Sequence, residues 1–166
     1  WTQAVVSNIV PFDQGTSNVT FRTNALPWLV SDGRAFHVFW AEREPTSNLP
    51  RIKYSSTTTG ASWRSADFVD NYPGLAGFQA IPSAAASEGV VQVTWYDTRD
   101  DPTQFQGPLI NGLPFVNDYR DAQGNIHRHT IDVRAAQALW DGSKLLFSKP
   151  SPLALTQSIK VSSYLI

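Results

Sequence analysis

The 166-residue sequence contains neither cysteine nor methionine. The lack of cysteine excludes disulfides and thiolate metal sites, but it leaves the compartment open, because oxidising and reducing environments both tolerate cysteine-free chains. Since methionine is missing even at position 1, we expect a piece processed or excised from a longer chain.

Charge and long apolar runs are also scarce. Charged residues make up 16% of the sequence and the net charge is -1, so nothing indicates a nucleic-acid surface or a polybasic membrane patch. No apolar run is long enough to span a bilayer, and the start, WTQAVVSNIV, lacks the features of a signal peptide. Apolar residues (42%) and aromatic residues (12%) are plentiful, which favours a packed core.

Two stretches of the chain repeat one order of residues. They are residues 25–44, ALPWLVSDGRAFHVFWAERE, and residues 80–101, AIPSAAASEGVVQVTWYDTRDD. The matched pairs, at offsets of 55 or 56 residues, are Pro27 with Pro82, Gly33 with Gly89, Val38 with Val93, Trp40 with Trp95, and Arg43 with Arg99. A fixed offset of this kind predicts two copies of one structural unit, with the paired tryptophans in the core.

Turn signals separate short β-branched and aromatic runs, which predicts nine strands. The first is Trp1–Val10, and the next four are Leu26–Val30, Ala35–Ala41, Arg51–Ser56 and Arg64–Val69. The last four are Ile81–Ala86, Val90–Tyr96, Thr130–Ala136 and Ser158–Ile166, with a turn at Leu139–Ser143. Ala35–Ala41 is apolar on both faces, which is typical of a strand between stacked sheets.

The octet Ser56–Trp63, STTTGASW, resembles the Asp-box, Ser-x-Asp-x-Gly-x-x-Trp, of bacterial sialidases and other bacterial-neuraminidase-repeat propellers. The match holds at Ser56, Gly60 and Trp63. Thr58 stands at the acidic position, where we expect its hydroxyl to accept backbone N–H groups of the turn. The stretches WYDTRDD and RHTIDVRAAQ also look like bacterial sialidase-like proteins, so the resemblance covers about Phe21 to Tyr164.

We therefore expect an all-β chain that forms part of a sialidase-like β-propeller, about two four-stranded antiparallel blades plus an outer strand of a preceding blade. Residues 1–20 would hold that strand and a link, 21–70 one blade, and 71–166 a second blade with a long loop at about 98–129. A β-sandwich also fits regularly spaced strands, but its strands do not recur as units. Because two blades cannot close a ring, we expect either further blades on a parent chain or self-association.

Blade topology sorts the loops onto two rims. In sialidase-like propellers, the rim with the links between blades binds the ligand. The resemblance implies arginines that bind the carboxylate of the sugar. It also implies a tyrosine as nucleophile and an acidic residue as general acid in cleavage of the glycosidic bond. The catalytic candidates are Asp100, Asp101 and Tyr119, and the substrate-binding candidates are Arg22, Arg43, Asp97, Arg99 and Arg120. We favour the alternative that Asp97 and Arg99, and likewise Glu42 and Arg43, pair to hold their loops.

Metal and stacking sites are weaker hypotheses. In His127-Arg128-His129 both imidazoles share one side of a strand and Asp132 would lie on the other, so we expect no zinc site. Asp100, Asp101, Asp118 and Asp121 could gather calcium, but the spacing matches no calcium loop and favours a solvated acidic loop. We therefore expect no cofactor, with calcium as the alternative. Among the tryptophans, Trp28 is the one left open for stacking on a sugar.

Two functions follow from the sequence. The first is a fragment of a carbohydrate-active propeller that binds glycans or hydrolyses glycosides, sialic-acid-type substrates included. It would be secreted, with an extracellular or periplasmic location. The alternative is a non-catalytic propeller scaffold or protein-interaction module. The expected partners are a glycan or glycoconjugate and the remaining blades or another copy, with no nucleic acid and no membrane span.

Overall fold

The computed structural model describes residues 3–10, 26–47, 49–72, 78–100, 109–110, 113–114, 119–120, 126–127, 130–153 and 159–160. Regular structure in these ranges is entirely β. The strands are β1 (Trp28–Ser31), β2 (Phe36–Arg43), β3 (Pro50–Thr57), β4 (Asp67–Phe68), β5 (Gln79–Ser87), β6 (Val90–Asp97), β7 (Leu109–Ile110), β8 (Leu113–Pro114), β9 (Tyr119–Arg120), β10 (Ile126–His127), β11 (Thr130–Trp140), β12 (Leu145–Phe147), β13 (Ser151–Pro152) and β14 (Ile159–Lys160). Within the described part, no helix is long and apolar enough to cross a membrane.

Two antiparallel sheets carry the architecture. The first has the order β1-β2-β3-β4, and the second has the order β12-β11-β6-β5, with β13 and β14 also pairing with β11. Two short hairpins, β7-β8 and β9-β10, lie in the predicted long loop. The domain boundaries 1–20, 21–70 and 71–166 stay a prediction, although the strands of the two sheets fall within the second and third ranges.

The two repeat segments lie in different sheets and follow the same path. Pro27–Arg43 supplies the β1-β2 hairpin of the first sheet, and Pro82–Arg99 supplies the β5-β6 hairpin of the second. Gly33 and Gly89 occupy the equivalent turns with φ of 87° and 79°, a region that favours glycine. The predicted duplication is confirmed.

The core fills the space between the two sheets. Phe39, Ile52 and Tyr54 of the first sheet pack against a set from the second sheet that includes Val91, Val93, Trp95, Ala138 and Trp140. Trp40 and Trp95 are 3% and 1% exposed, which confirms the prediction that both belong to the core. Strand β2 is buried on both faces, as its apolar pattern predicts.

Four predicted strands differ from the structure, and one of them, Arg64–Val69, is reduced to the two residues of β4, Asp67–Phe68. Residues 3–10 form no strand and are joined to β2 by a bond from the Arg43 N–H to the Val10 carbonyl, at 3.0 Å. Strand β11 continues to Trp140, four residues beyond its predicted end, so the turn begins at Asp141 instead of Leu139. The strand that follows this turn is β12, not the predicted Ser158–Ile166, because the tight turn returns the chain to pair beside β11 at once. Within that prediction, Ile159–Lys160 pairs with the start of β11, and residues 158 and 161–166 lie outside the described residues.

The turns between strands are held by side chains that accept backbone N–H groups. The Asp32 carboxylate accepts from Arg34 and Ala35, both at 2.8 Å, and the Asp141 carboxylate accepts from Ser143 and Lys144, both at 2.7 Å. Such bonds are the usual reason for aspartate in a turn.

In the octet that resembles the Asp-box, the accepting hydroxyl is that of Thr57, with Thr59 N–H at 3.2 Å and Gly60 N–H at 3.0 Å. The prediction assigned this role to Thr58 and was wrong by one residue. The last residue of β3 already points its hydroxyl into the turn, so Thr57 reaches these N–H groups first.

Candidate functional site

The two ends of the sheets differ in chemistry. We call the end with the four strand-to-strand turns (residues 32–35, 57–64, 87–90 and 141–144) the turn rim. The opposite end (described residues 42–47, 49–51, 69–72, 78–79 and 97–100) is the link rim. Four of the predicted site residues lie within the link-rim ranges, namely Arg43, Asp97, Arg99 and Asp100.

Two buried carboxylates on the link rim share one guanidinium. Asp97 ends β6 and is 0% exposed, and Asp70 lies just beyond β4 and is 2% exposed. Nε and Nη2 of Arg99 donate to Asp97 Oδ2 at 3.0 and 2.6 Å, and Nη2 also donates to the Asp70 carboxylate. Arg99 therefore joins the end of the first sheet to the second.

Residues close to Asp97 in the chain hold its carboxylate in place. Residues two apart on a strand share a face, so Trp95 and Asp97 lie side by side, and Trp95 Nε1 donates to Asp97 Oδ2 at 3.0 Å. The Asp97 Oδ1 atom accepts the Arg99 N–H at 2.8 Å, which turns the chain at the end of the strand.

The first repeat carries the same indole–carboxylate pair. Trp40 Nε1 donates to Glu42 Oε2 at 2.8 Å. The other Glu42 oxygen lies 2.6 Å from Lys53 Nζ, so the predicted Glu42–Arg43 ion pair is wrong. Glu42 and Lys53 lie on adjacent strands, so their side chains can meet on one face of the sheet. Glu42 and Arg43 are neighbours on one strand, so their side chains point to opposite faces. The signal Trp-x-acid, present in both repeats, could have located these carboxylates.

A glutamine and a second arginine complete the link between the sheets. Gln79 is 0% exposed, its Nε2 donates to Asp97 Oδ2 at 3.1 Å, and its Oε1 accepts the Ile52 N–H at 3.0 Å. Arg51 Nη2 donates to the Asp70 carbonyl at 2.5 Å. None of these three residues (Asp70, Gln79 and Arg51) is predicted from the sequence as part of the site, because nothing near them in the chain predicts contacts across 18 to 29 residues.

Asp97 and Arg99 are both held in their charged forms. Burial pushes the pKa of Asp97 upward, but the hydrogen bonds and charge of Arg99, with the Trp95 indole, outweigh it and hold the pKa below its usual range. For Arg99, burial opposes the charged form, and Asp97 and Asp70 outweigh it and raise the pKa. A pair locked in its charged forms is suited to holding a loop in place and not to proton transfer. This agrees with the favoured structural interpretation of Asp97 and Arg99.

The other predicted site residues within the described ranges are Asp100, Arg43, Tyr119 and Arg120. Arg134 is 7% exposed and donates to the carboxylate of Asp100. Arg43 is partly exposed and forms no ion pair with the described part of the chain. Tyr119 and Arg120 form β9, where they pair in register with His127 and Ile126. Arg22 and Asp101 lie outside the described residues, so whether the candidate set converges stays a prediction.

The hypotheses of a metal site and of a tryptophan that stacks on a sugar depend in part on residues outside the described ranges. Asp118, Asp121, Arg128 and His129 lie outside the described residues. Where the chain is described, no three His, Asp or Glu residues gather as metal ligands do. Trp28 is 46% exposed and its Nε1 donates to the Ala84 carbonyl at 2.6 Å, so one side of its ring faces solvent while its polar atom is engaged.

A separate polar cluster lies at the turn rim. His37 Nδ1 is 2.8 Å from Ser56 Oγ, and His37 Nε2 is 3.6 Å from Asp32 Oδ2, too far for a hydrogen bond. Ser56 is 1% exposed, so its hydroxyl cannot reach a substrate, and the three groups form a structural cluster. Burial lowers the pKa of His37, with the Asp32 carboxylate acting the other way, so the imidazole is held neutral.

Known proteins resemble this chain in fold. No family model and no curated protein matches the sequence. Two solved structures of Trypanosoma rangeli sialidase, one in complex with the inhibitor DANA and one with sialic acid, match with a TM-score of 0.50 at 12% and 11% identity. They cover 89% of this chain, which spans 24% and 23% of theirs. The all-β fold, with its antiparallel sheets, is that of part of a sialidase-like β-propeller, so the predicted fold class is confirmed.

Proposed function

We propose that this chain is part of a carbohydrate-active, sialidase-like propeller that binds glycans with a sialic-acid-type sugar on the link rim. The observation that carries the proposal is the structural match over 89% of the chain to a sialidase whose structure contains sialic acid. Glycans of this kind are displayed outside cells, and we therefore propose an extracellular or periplasmic location.

In this proposal Arg43 is the described residue that contacts the sugar carboxylate. Its guanidinium has no carboxylate partner within the described ranges, and a planar guanidinium suits bidentate binding of a carboxylate. Arg22 and Arg120 would add further cations. Arg99 acts as a positioning residue, because its donors already hold Asp97 and Asp70 while the long loop begins next to it.

A more specific form of the proposal is that the protein also hydrolyses glycosides. Tyr119 would act as the nucleophile, and Asp101 or Asp100 as the general acid. The Asp100 carboxylate is already engaged by the Arg134 guanidinium, so Asp101 is the better candidate for the acid. Since the chain spans about a quarter of the matched sialidases, we expect turnover only from the full-length protein.

The second candidate function is a non-catalytic scaffold or protein-interaction module. The hydrogen-bonded cluster on the link rim favours this second function, because its side chains bind one another across the two sheets and need no ligand. The cluster consists of Asp70, Gln79, Asp97 and Arg99. The octet Ser56–Trp63 would then be a degenerate Asp-box retained for its turn, in which the Thr57 hydroxyl accepts the backbone N–H groups of Thr59 and Gly60.

One experiment separates the two functions. The full-length protein is assayed on a fluorogenic sialoside and on a glycan array, together with the variants Arg43→Ala and Arg34→Ala. Arg34 is an exposed arginine of the same repeat on the turn rim and serves as the matched control. We expect Arg43→Ala to abolish the signal and Arg34→Ala to leave it unchanged.

Absence of both turnover and array binding in the unmodified protein would remove the glycan proposal. A protein partner whose binding is blocked by changes in the loop at 98–129 would then support the scaffold.

A further inference from the structure

A polar cleft of about 490 Å³ lies between the two sheets at the turn rim, away from the link rim. One wall comes from the segment that joins β3 to β4, with Arg64 and Ser65, and from Asp67 of β4. The facing wall is the β11-β12 turn, with Ser143 and Lys144. Neither the repeat nor the proposed glycan site accounts for it.

A hydrogen bond joins the two walls of the cleft. Arg64 Nη1 donates to the carbonyl of Ser143, which fixes the guanidinium between the two walls. Its backbone is held as well, since Ser55 Oγ donates to the Arg64 carbonyl at 2.6 Å and the Arg64 N–H donates to the Ser56 carbonyl at 3.0 Å. A guanidinium carries five N–H groups, so most of its donors remain for a ligand.

Positive charge and donors predominate in the walls. Lys144 lines the cleft beside Arg64, and its ammonium forms no ion pair with the described residues. The hydroxyls of Ser65 and Ser143 line it too. Among the described residues that line the cleft, Asp67 is the one carboxylate, and its Oδ1 accepts from the Phe68 N–H at 2.8 Å and from Asn71 Nδ2 at 3.2 Å.

We propose that this cleft binds a compact oxyanion, a carboxylate, sulfate or phosphate group, between Arg64 and Lys144. The guanidinium supplies paired N–H donors, the ammonium supplies a second charge, and the serine hydroxyls supply further donors. Because both cations are exposed to solvent, the site is weak and sensitive to salt. An oxyanion here would bridge the two sheets where Arg64 already joins them.

Calorimetric titration of the full-length protein tests the proposal. The probes are sodium sulfate, sodium phosphate and sodium acetate, each against sodium chloride of matched ionic strength. We expect saturable binding of at least one probe. Sulfate or phosphate without acetate would indicate a tetrahedral ligand, and acetate alone would indicate a carboxylate.

Variants locate the site. Lys144→Gln should weaken binding by about threefold to fivefold, the effect of one solvent-exposed charge. Lys149→Gln makes the same charge change at an exposed lysine outside the cleft and should leave binding unchanged. No saturable binding of any probe, or equal weakening by Lys144→Gln and Lys149→Gln, would overturn the proposal.

Discussion

Removal of the Arg99 guanidinium should destabilise the protein far more than removal of its repeat equivalent, Arg43. In Arg99→Ala, the Asp97 and Asp70 carboxylates, 0% and 2% exposed, lose the cation that they share. Breaking a buried ion pair from one side typically costs about 3–5 kcal/mol. Arg43 is partly exposed and has no carboxylate partner in the described part, so Arg43→Ala should cost less than about 1 kcal/mol.

The protonation of Asp97 sets a ceiling on this loss. Without Arg99, burial would raise the pKa of Asp97, and the carboxyl could take up a proton instead of remaining charged. Protonating a carboxyl of ordinary pKa 3.8 at pH 7 costs about 4 kcal/mol, at about 1.36 kcal/mol for each pH unit. The penalty per carboxyl therefore cannot greatly exceed about 4 kcal/mol at pH 7, and it should shrink as the pH falls towards 5.

Urea denaturation followed by tryptophan fluorescence measures these differences, since Trp95 donates to Asp97 and reports on the site. Arg99→Lys, which keeps the charge but not the paired donors, should fall between wild type and Arg99→Ala. The reasoning would be refuted if Arg99→Ala lost no more stability than Arg43→Ala, or if its deficit did not change between pH 7 and pH 5.

Two further predictions concern other parts of the chain. The lowered pKa of His37 means that the unfolded chain takes up a proton that the folded state resists, so stability should decline as the pH falls below about 6.5. Thermal unfolding from pH 7.5 to 5 should show this slope in wild type, and an equal slope in His37→Gln would contradict it. Leu139 and Leu146 are 59% and 52% exposed on the second sheet, so the isolated chain should self-associate or aggregate, and Leu139→Ser with Leu146→Ser should reduce this. Light scattering that finds a stable monomer of the unmodified chain would contradict the second prediction.

Part of the candidate site could be predicted from the sequence. The pairing of Asp97 with Arg99 follows from their spacing at the end of a strand, and the structure contains it. By contrast, Asp70 joins the same guanidinium from the other sheet, 29 residues away, and Arg134 binds Asp100 across 34 residues. Spacing along the chain carries no information about such partners, because they meet only when the sheets pack.

The sequence by itself determined the repeat, the strands within it, the buried tryptophans and thereby the fold class. These features depend on near neighbours, on the alternation of side chains along a strand and on the residues that permit tight turns. The packing of one sheet against the other decided which carboxylates Arg99 joins, and it brought Arg64 to the Ser143 carbonyl at the edge of the oxyanion cleft. Those contacts depend on distances between segments remote in the chain, and only the tertiary structure sets them.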